Sequence, residues 1–280
     1  MDIWKKYRME AVFKNKHAWI SRMLYGGCLL FYLVYPHTSL FVLGSAAAYL
    51  TVLQPAVSYW LMRTHKGRAV PLYLTLLPAG LFLTYAVLLR QHDNSNYGYS
   101  ILFALGAVIC LLTQPKGRHR TAALCLAALL LLASAGGLAR YLWERTLPEL
   151  GGHFLFALRD CRLVGKSVYA DRLTRMQYGD APFAWMLHRL GVVPTIGILL
   201  LYLWALVRFG RRSTAAAVLA GTIGVQLALA LCYSFLPQAA PLCIYLRAVV
   251  PFVTWGRGAP VMCLALWPLS RPEKERACMD

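Results

Sequence analysis

Acidic residues are scarce in this chain: eleven Asp and Glu stand among 280 residues, against 29 Lys and Arg. The eleven are Asp2, Glu10, Asp93, Glu144, Glu149, Asp160, Asp171, Asp180, Glu273, Glu275 and Asp280, and none lies deep inside an apolar run. That argues against a proton-driven transporter, which needs a carboxylate at mid-membrane. Cysteine pattern is lacking too. Cys28, Cys110, Cys125, Cys161, Cys232, Cys243, Cys263 and Cys278 show no C-x-x-C and no Cys/His ligand spacing, so they read as small hydrophobes and not as a disulfide framework or a zinc site. No small-residue cleavage pattern follows the apolar stretch Met23–Tyr35, so the basic N-terminus reads as retained. Internal repeats and low-complexity runs are missing as well.

What is present is apolar length. Hydrophobic residues make up 59% of the chain and charged ones 14%, in long runs separated by short basic interruptions. This is the composition of an all-α integral membrane protein. Runs near 19–36, 38–62, 70–89, 98–114, 121–138, 182–208, 214–236 and 247–269 each approach the roughly 20 residues a helix needs to cross a bilayer. The reading is a single membrane domain over 1–280, a polytopic bundle of about eight helices with both termini cytoplasmic. Arg22 lies within the first run and is expected to snorkel to the interface.

The formal charge of +18 fits this topology better than nucleic-acid binding. Lys5, Lys6, Arg8, Lys14 and Lys16, then Arg63, Lys66 and Arg68, then Lys116, Arg118 and Arg120, then Arg208, Arg211 and Arg212, and finally Arg271, Lys274 and Arg276 all fall on the side that positive charge marks as cytoplasmic. The opposite connections, 90–97 and 237–246, carry little charge. Residues 139–181 form the exception, a long outer segment with several acids and Arg140, Arg145, Arg159, Arg162, Lys166, Arg172 and Arg175. Long loops in compact membrane domains are usually functional or disordered, and "HFLFAL" within this one favours a structured segment lying along the membrane.

Three residues stand out for chemistry. Asp180 precedes Ala181 and Pro182 at the start of an apolar run, where it is either an ordinary helix N-cap or a carboxylate held at headgroup level for proton transfer. Arg257 lies about ten residues inside the last run, between Gly256 and Gly258; it is either a structural or snorkelling arginine or a group facing a polar cavity. His188 follows Asp180 by two helical turns and reads either as a packed residue or as a second group on the same cavity. No second His stands at ligand spacing.

Several stretches between residues 157 and 270 resemble one family. "ALRDCRLVGKSV" is similar to A-x-x-S-G-G-L-x-G-K-G, keeping Ala157, Leu163, Gly165 and Lys166. "YGDAPFAWMLHRLGVVP" is similar to H-T-D-F-I-F-A-x-x-x-E-E-L-G-x-x-G, with Asp180, Phe183, Ala184, Leu190 and Gly191 in register. "VVPFVTWGRGAP" resembles L-P-F-x-S-Y-G-G-S-S, preceded by Gln226 and Leu236-Pro237 at similar places. In this order the stretches resemble the SEDS family (shape, elongation, division and sporulation), the RodA/FtsW/SpoVE-like glycosyltransferases of bacterial cell-wall synthesis. A fainter similarity begins near residue 95, and residues 1–62 carry no recognised motif. Members usually have about ten helices, so this chain is shorter by about two. Tyr178 replaces the motif histidine, His188 and Arg189 replace the Glu-Glu pair, and Gly256, Arg257, Gly258 and Ala259 replace Gly-Gly-Ser-Ser.

The resemblance implies a multi-pass protein of the bacterial cytoplasmic membrane that polymerises lipid II into glycan strands during division, elongation or sporulation. Asp180 would be the catalytic base. Lys166, Arg159, Arg175, Arg257 and His188 would contact the substrate, with a divalent cation, magnesium or manganese, as the one cofactor the chemistry leaves room for. The partner implied is a class B penicillin-binding protein, the transpeptidase that cross-links the strands. Two other readings stay open: a catalytically degenerate SEDS-like scaffold, and a transporter of a lipid-linked precursor.

Overall fold

The structure, a computed structural model, describes residues 3–34, 41–65, 69–88, 95–144, 161–167 and 182–235. Nine helices make up these residues: α1 (Ile3–Val34), α2 (Phe41–Thr64), α3 (Val70–Leu74), α4 (Leu77–Leu88), α5 (Ser95–Leu112), α6 (Arg118–Glu144), α7 (Pro182–Leu190), α8 (Val192–Gly210) and α9 (Thr214–Phe235). No strand occurs among the described residues. Val70–Leu88, Arg118–Tyr141, Val192–Gly210 and Thr214–Cys232 are each long and apolar enough to cross a bilayer, and Trp19–Val34 and Asn96–Leu112 are shorter apolar helices. The chain is a helical membrane protein. The eighth expected run, 247–269, lies outside the described residues.

α5 is the centre of the bundle, packing against α2, α4, α6 and α9. Tyr32, Phe82, Tyr99 and Phe103 form its aromatic heart, with Tyr32 meeting Phe103 edge-on at 5.2 Å between ring centroids. Such rings bury large area, and the one polar atom Tyr32 brings is satisfied: its hydroxyl donates to Gln54 Oε1 at 3.1 Å. Gln54 in turn donates to Ser58 Oγ, while Gln226 of α9 donates to Thr51 Oγ1 of α2 at 2.8 Å. These buried amides and hydroxyls tie helices together where lipid offers no competing partner.

Contacts order the helix ends. Ser21 and Thr64 share a hydrogen bond at 3.2 Å, Tyr25 donates to Leu74 O, Tyr73 meets the His119 ring, and Ile109 lies against Gly221. His65, Ala69 and the connections 113–117 and 211–213 therefore share one end of the bundle. Arg22 belongs there too. Its guanidinium donates to His65 Nε2 at 2.7 Å from Nη2, which leaves Nδ1 to carry the imidazole proton toward Leu61 O. The expected snorkelling arginine is thus seated on α2.

Three boundaries differ from the sequence reading. The 182–208 run is not one helix, because it breaks at Gly191 into α7 and α8. The helix of the 121–138 run extends beyond it at both ends, α6 covering Arg118–Glu144. The 70–89 run is also interrupted, at Thr75 and Leu76, where Thr75 Oγ1 donates to Leu72 O at 2.7 Å and the backbone tightens between α3 and α4.

Candidate functional site

The break at Gly191 leaves the last carbonyls of α7 and the first amides of α8 without helical partners, and in a membrane such groups need protein partners. Residues 161–167 supply them as a strap across the break. Gly165 N donates to Leu190 O at 2.8 Å and Ser167 N to His188 O at 2.8 Å, closing the end of α7. Val192 N donates to Arg162 O at 2.9 Å and Val193 N to Leu163 O at 3.0 Å, closing the start of α8. One short segment caps two helices at once.

The strap fits only because residue 191 is glycine. Its φ is +95, a region that side chains disfavour, and a β-carbon there would stand 2.7 Å from Val164 Cα and 2.8 Å from Leu163 O. Gly165 also holds a positive φ, +91, at the turn of the strap.

His188 is fully buried beneath the strap. Its Nδ1 lies 2.6 Å from Ser167 Oγ, and Nε2 faces Cys161 Sγ at 3.9 Å. Lys166 is exposed on the strap beside it, as are Arg162, Leu163 and Val164. Arg189 is exposed on the other side, its guanidinium over the Trp185 ring at 5.8 Å. Deeper in, Phe183 and Met186 pack with Leu227 and Ala230 of α9 in a second small core that Ile101 of α5 adjoins. That core fixes α7 against the bundle, and through α7 the strap.

Of the sequence-derived site residues, the structure places Lys166 and His188 at this junction. Asp180, Arg159, Arg175 and Arg257 lie outside the described residues; Asp180 precedes the first residue of α7 by two positions. Sequence reasoning passed over Ser167 and Cys161, for which no periodicity or spacing offers a signal, because their partner His188 is 21 or more residues away. Among the described residues no three His, Cys, Asp or Glu side chains gather as metal ligands. The described part of the junction offers the exposed cations Arg162, Lys166 and Arg189, which suit an anionic group, so no step is derived through a metal.

No family model, no curated protein and no solved structure matches the chain, so the SEDS likeness rests on the residues quoted above.

Proposed function

We propose that the protein is a compact SEDS-type glycosyltransferase that polymerises lipid II, multi-pass in a bacterial cytoplasmic membrane, with about eight spans, both termini cytoplasmic and the strap on the outer side. The observation that supports this reading is the pairing of the two stretches that carry the resemblance. Leu163, Gly165 and Lys166 come from one, Leu190 and Gly191 from the other; at the break between α7 and α8 Gly165 N donates to Leu190 O, and Val193 N, two residues past Gly191, donates to Leu163 O. A likeness arising by chance has no reason to bring its matched positions together.

In this mechanism a sugar hydroxyl of one lipid II attacks the anomeric carbon of another and expels undecaprenyl diphosphate with inversion. Asp180 takes the hydroxyl proton as general base. The departing diphosphate meets cations of the 139–181 segment: Lys166 at the matched position, with Arg159 and Arg175 as further candidates. Arg257, from the last apolar run, is a further candidate for substrate contact, and His188 acts from beneath by holding Ser167.

A second reading, a degenerate scaffold of a cell-wall complex, draws on His188 itself. Where the family motif has a carboxylate pair, this chain has an imidazole fully buried and engaged with the strap. Purified protein assayed for lipid II polymerisation, alone and with a class B penicillin-binding protein, separates the two. Glycan strands are the expected product, and a stable complex with no strands under any pairing would favour the scaffold.

A further inference from the structure

The junction between α7 and α8 holds a thiol that the glycosyltransferase reading leaves unused. Cys161, the first residue of the strap, is partly exposed, whereas Cys28, Cys110, Cys125 and Cys232 lie within the apolar helices α1, α5, α6 and α9. Its neighbour sets it apart. Sγ stands 3.9 Å from Nε2 of the fully buried His188, inside the reach of a sulfur hydrogen bond, and the opposite ring nitrogen lies 2.6 Å from Ser167 Oγ. With Nδ1–H donated to that hydroxyl, Nε2 is the basic nitrogen and faces the thiol. Ser167 N donates to His188 O at 2.8 Å, which holds the hydroxyl at the ring.

A nucleophile, a base and a group that orients the base are thus brought together from the two ends of the strap and from α7. This arrangement activates a cysteine: the base takes the proton, and the imidazolium it becomes keeps its bond to Ser167 while pairing with the thiolate. Charge then decides which reactant such a thiol meets. The strap exposes Arg162 and Lys166, α7 exposes Arg189, and the first turns of α8 carry no ionisable group. Among the described residues of the junction no acid offsets these cations, and the charges of Arg159 and Asp160, just before Cys161 in sequence, cancel. An anionic reactant is favoured over a cationic one.

We propose that Cys161 is a reactive thiol, with His188 as its base and Ser167 as the residue that positions the base, and that its reactant is an anionic disulfide of low molecular weight. His188 Nε2 removes the thiol proton, and the sulfur attacks one sulfur of the disulfide. A new S–S bond forms as the old one breaks; Cys161 is oxidised, half of the reagent is reduced, and the departing thiolate collects the proton from the imidazolium. The site is independent of the glycosyltransferase reading, and its assay contains no lipid II.

The full chain in detergent, treated with oxidised glutathione and followed at Cys161 by peptide mass spectrometry, tests the proposal. At about pH 7, His188→Gln should slow adduct formation about tenfold, because a thiol without a base is mostly un-ionised there. Ser167→Ala, which frees the ring to turn, should slow it about threefold, and it carries the test should His188→Gln fail to fold. At about pH 9.5 a thiol ionises without help, so both variants should come within about twofold of the parent. Deficits that persist in alkali would show that the two residues merely shape access to the sulfur and would overturn the assignment, as would equal rates at neutral pH. Iodoacetamide, which is uncharged, and cystamine, a cationic disulfide, test the charge. Arg162→Gln/Lys166→Gln should slow oxidised glutathione about fivefold while leaving iodoacetamide within about twofold of the parent. Cystamine reacting as fast as oxidised glutathione, each scaled by its rate with a simple thiol, would overturn the anionic reactant.

Discussion

Three backbone atoms lie within 3 Å of where a β-carbon on Gly191 would stand, at 2.7, 2.8 and 2.9 Å. Backbone cannot yield as a flexible side chain does, so Gly191→Ala has to open the strap or strain φ. The expected loss is about 1–3 kcal/mol of stability, read as an earlier thermal unfolding of the detergent-purified protein. Gly197→Ala, within α8 and with nothing near its β-carbon position, is the control and should be neutral or slightly stabilising. Equal melting of the two variants would remove the strap from the account. Ser167→Ala is milder. It removes one hydrogen bond from a buried imidazole and should cost about 1 kcal/mol, and an unchanged melting temperature would show that Ser167 does not hold His188. At this scale the sequence was partly legible: Gly165 and Gly191 stood out as matched glycines. That Gly165 bonds to Leu190, beside Gly191, was not, because the contact is made across 25 positions and no local pattern encodes it.

At the scale of elements, apolar length located the spans because bilayer thickness sets it, and α2, α5, α6 and α9 fall where the hydrophobic runs fall. The break between α7 and α8 escaped for a physical reason. "WMLHRLGVVPTIGILL" is apolar but for His188, Arg189 and Thr195, Pro194 sits in the first turn of α8 where it costs nothing, and the caps that pay for the interruption come from a distant segment. α1 begins near Ile3 although the reading began it at 19, since a lysine-rich stretch forms helix readily while contributing no hydropathy signal. The join of α9 to α2 rests on Gln226. Gln226→Ala should lower stability by about 0.5–1.5 kcal/mol, while Gln226→Glu, which keeps the shape but brings a carboxylate into an apolar interior, should cost more. If Gln226→Glu melts with the parent, the amide contact to Thr51 is not what holds α9.

For the whole molecule, the account requires the strap and the basic end to lie on opposite sides of the membrane. A single cysteine placed at Lys166 should react with an impermeant maleimide from outside intact cells, and one at Lys116 only after the cells are opened. Labelling of both from the same side would sink the topology and the mechanism with it. α8 leaves most of its apolar surface open, with only 6% of that span buried inside the bundle, a face that suits the transmembrane helix of a cross-linking partner. The sequence can name such a partner only through the resemblance, because an exposed apolar helix looks the same whether lipid or another helix covers it. The most direct measurement is lipid II polymerisation by the wild-type protein and by Asp180→Asn, each purified with a class B penicillin-binding protein and matched for thermal stability. Asparagine keeps the capping geometry but cannot take a proton. The account predicts glycan strands from the wild type and their collapse in the variant with folding intact. Strand synthesis by Asp180→Asn at the wild-type rate would contradict it.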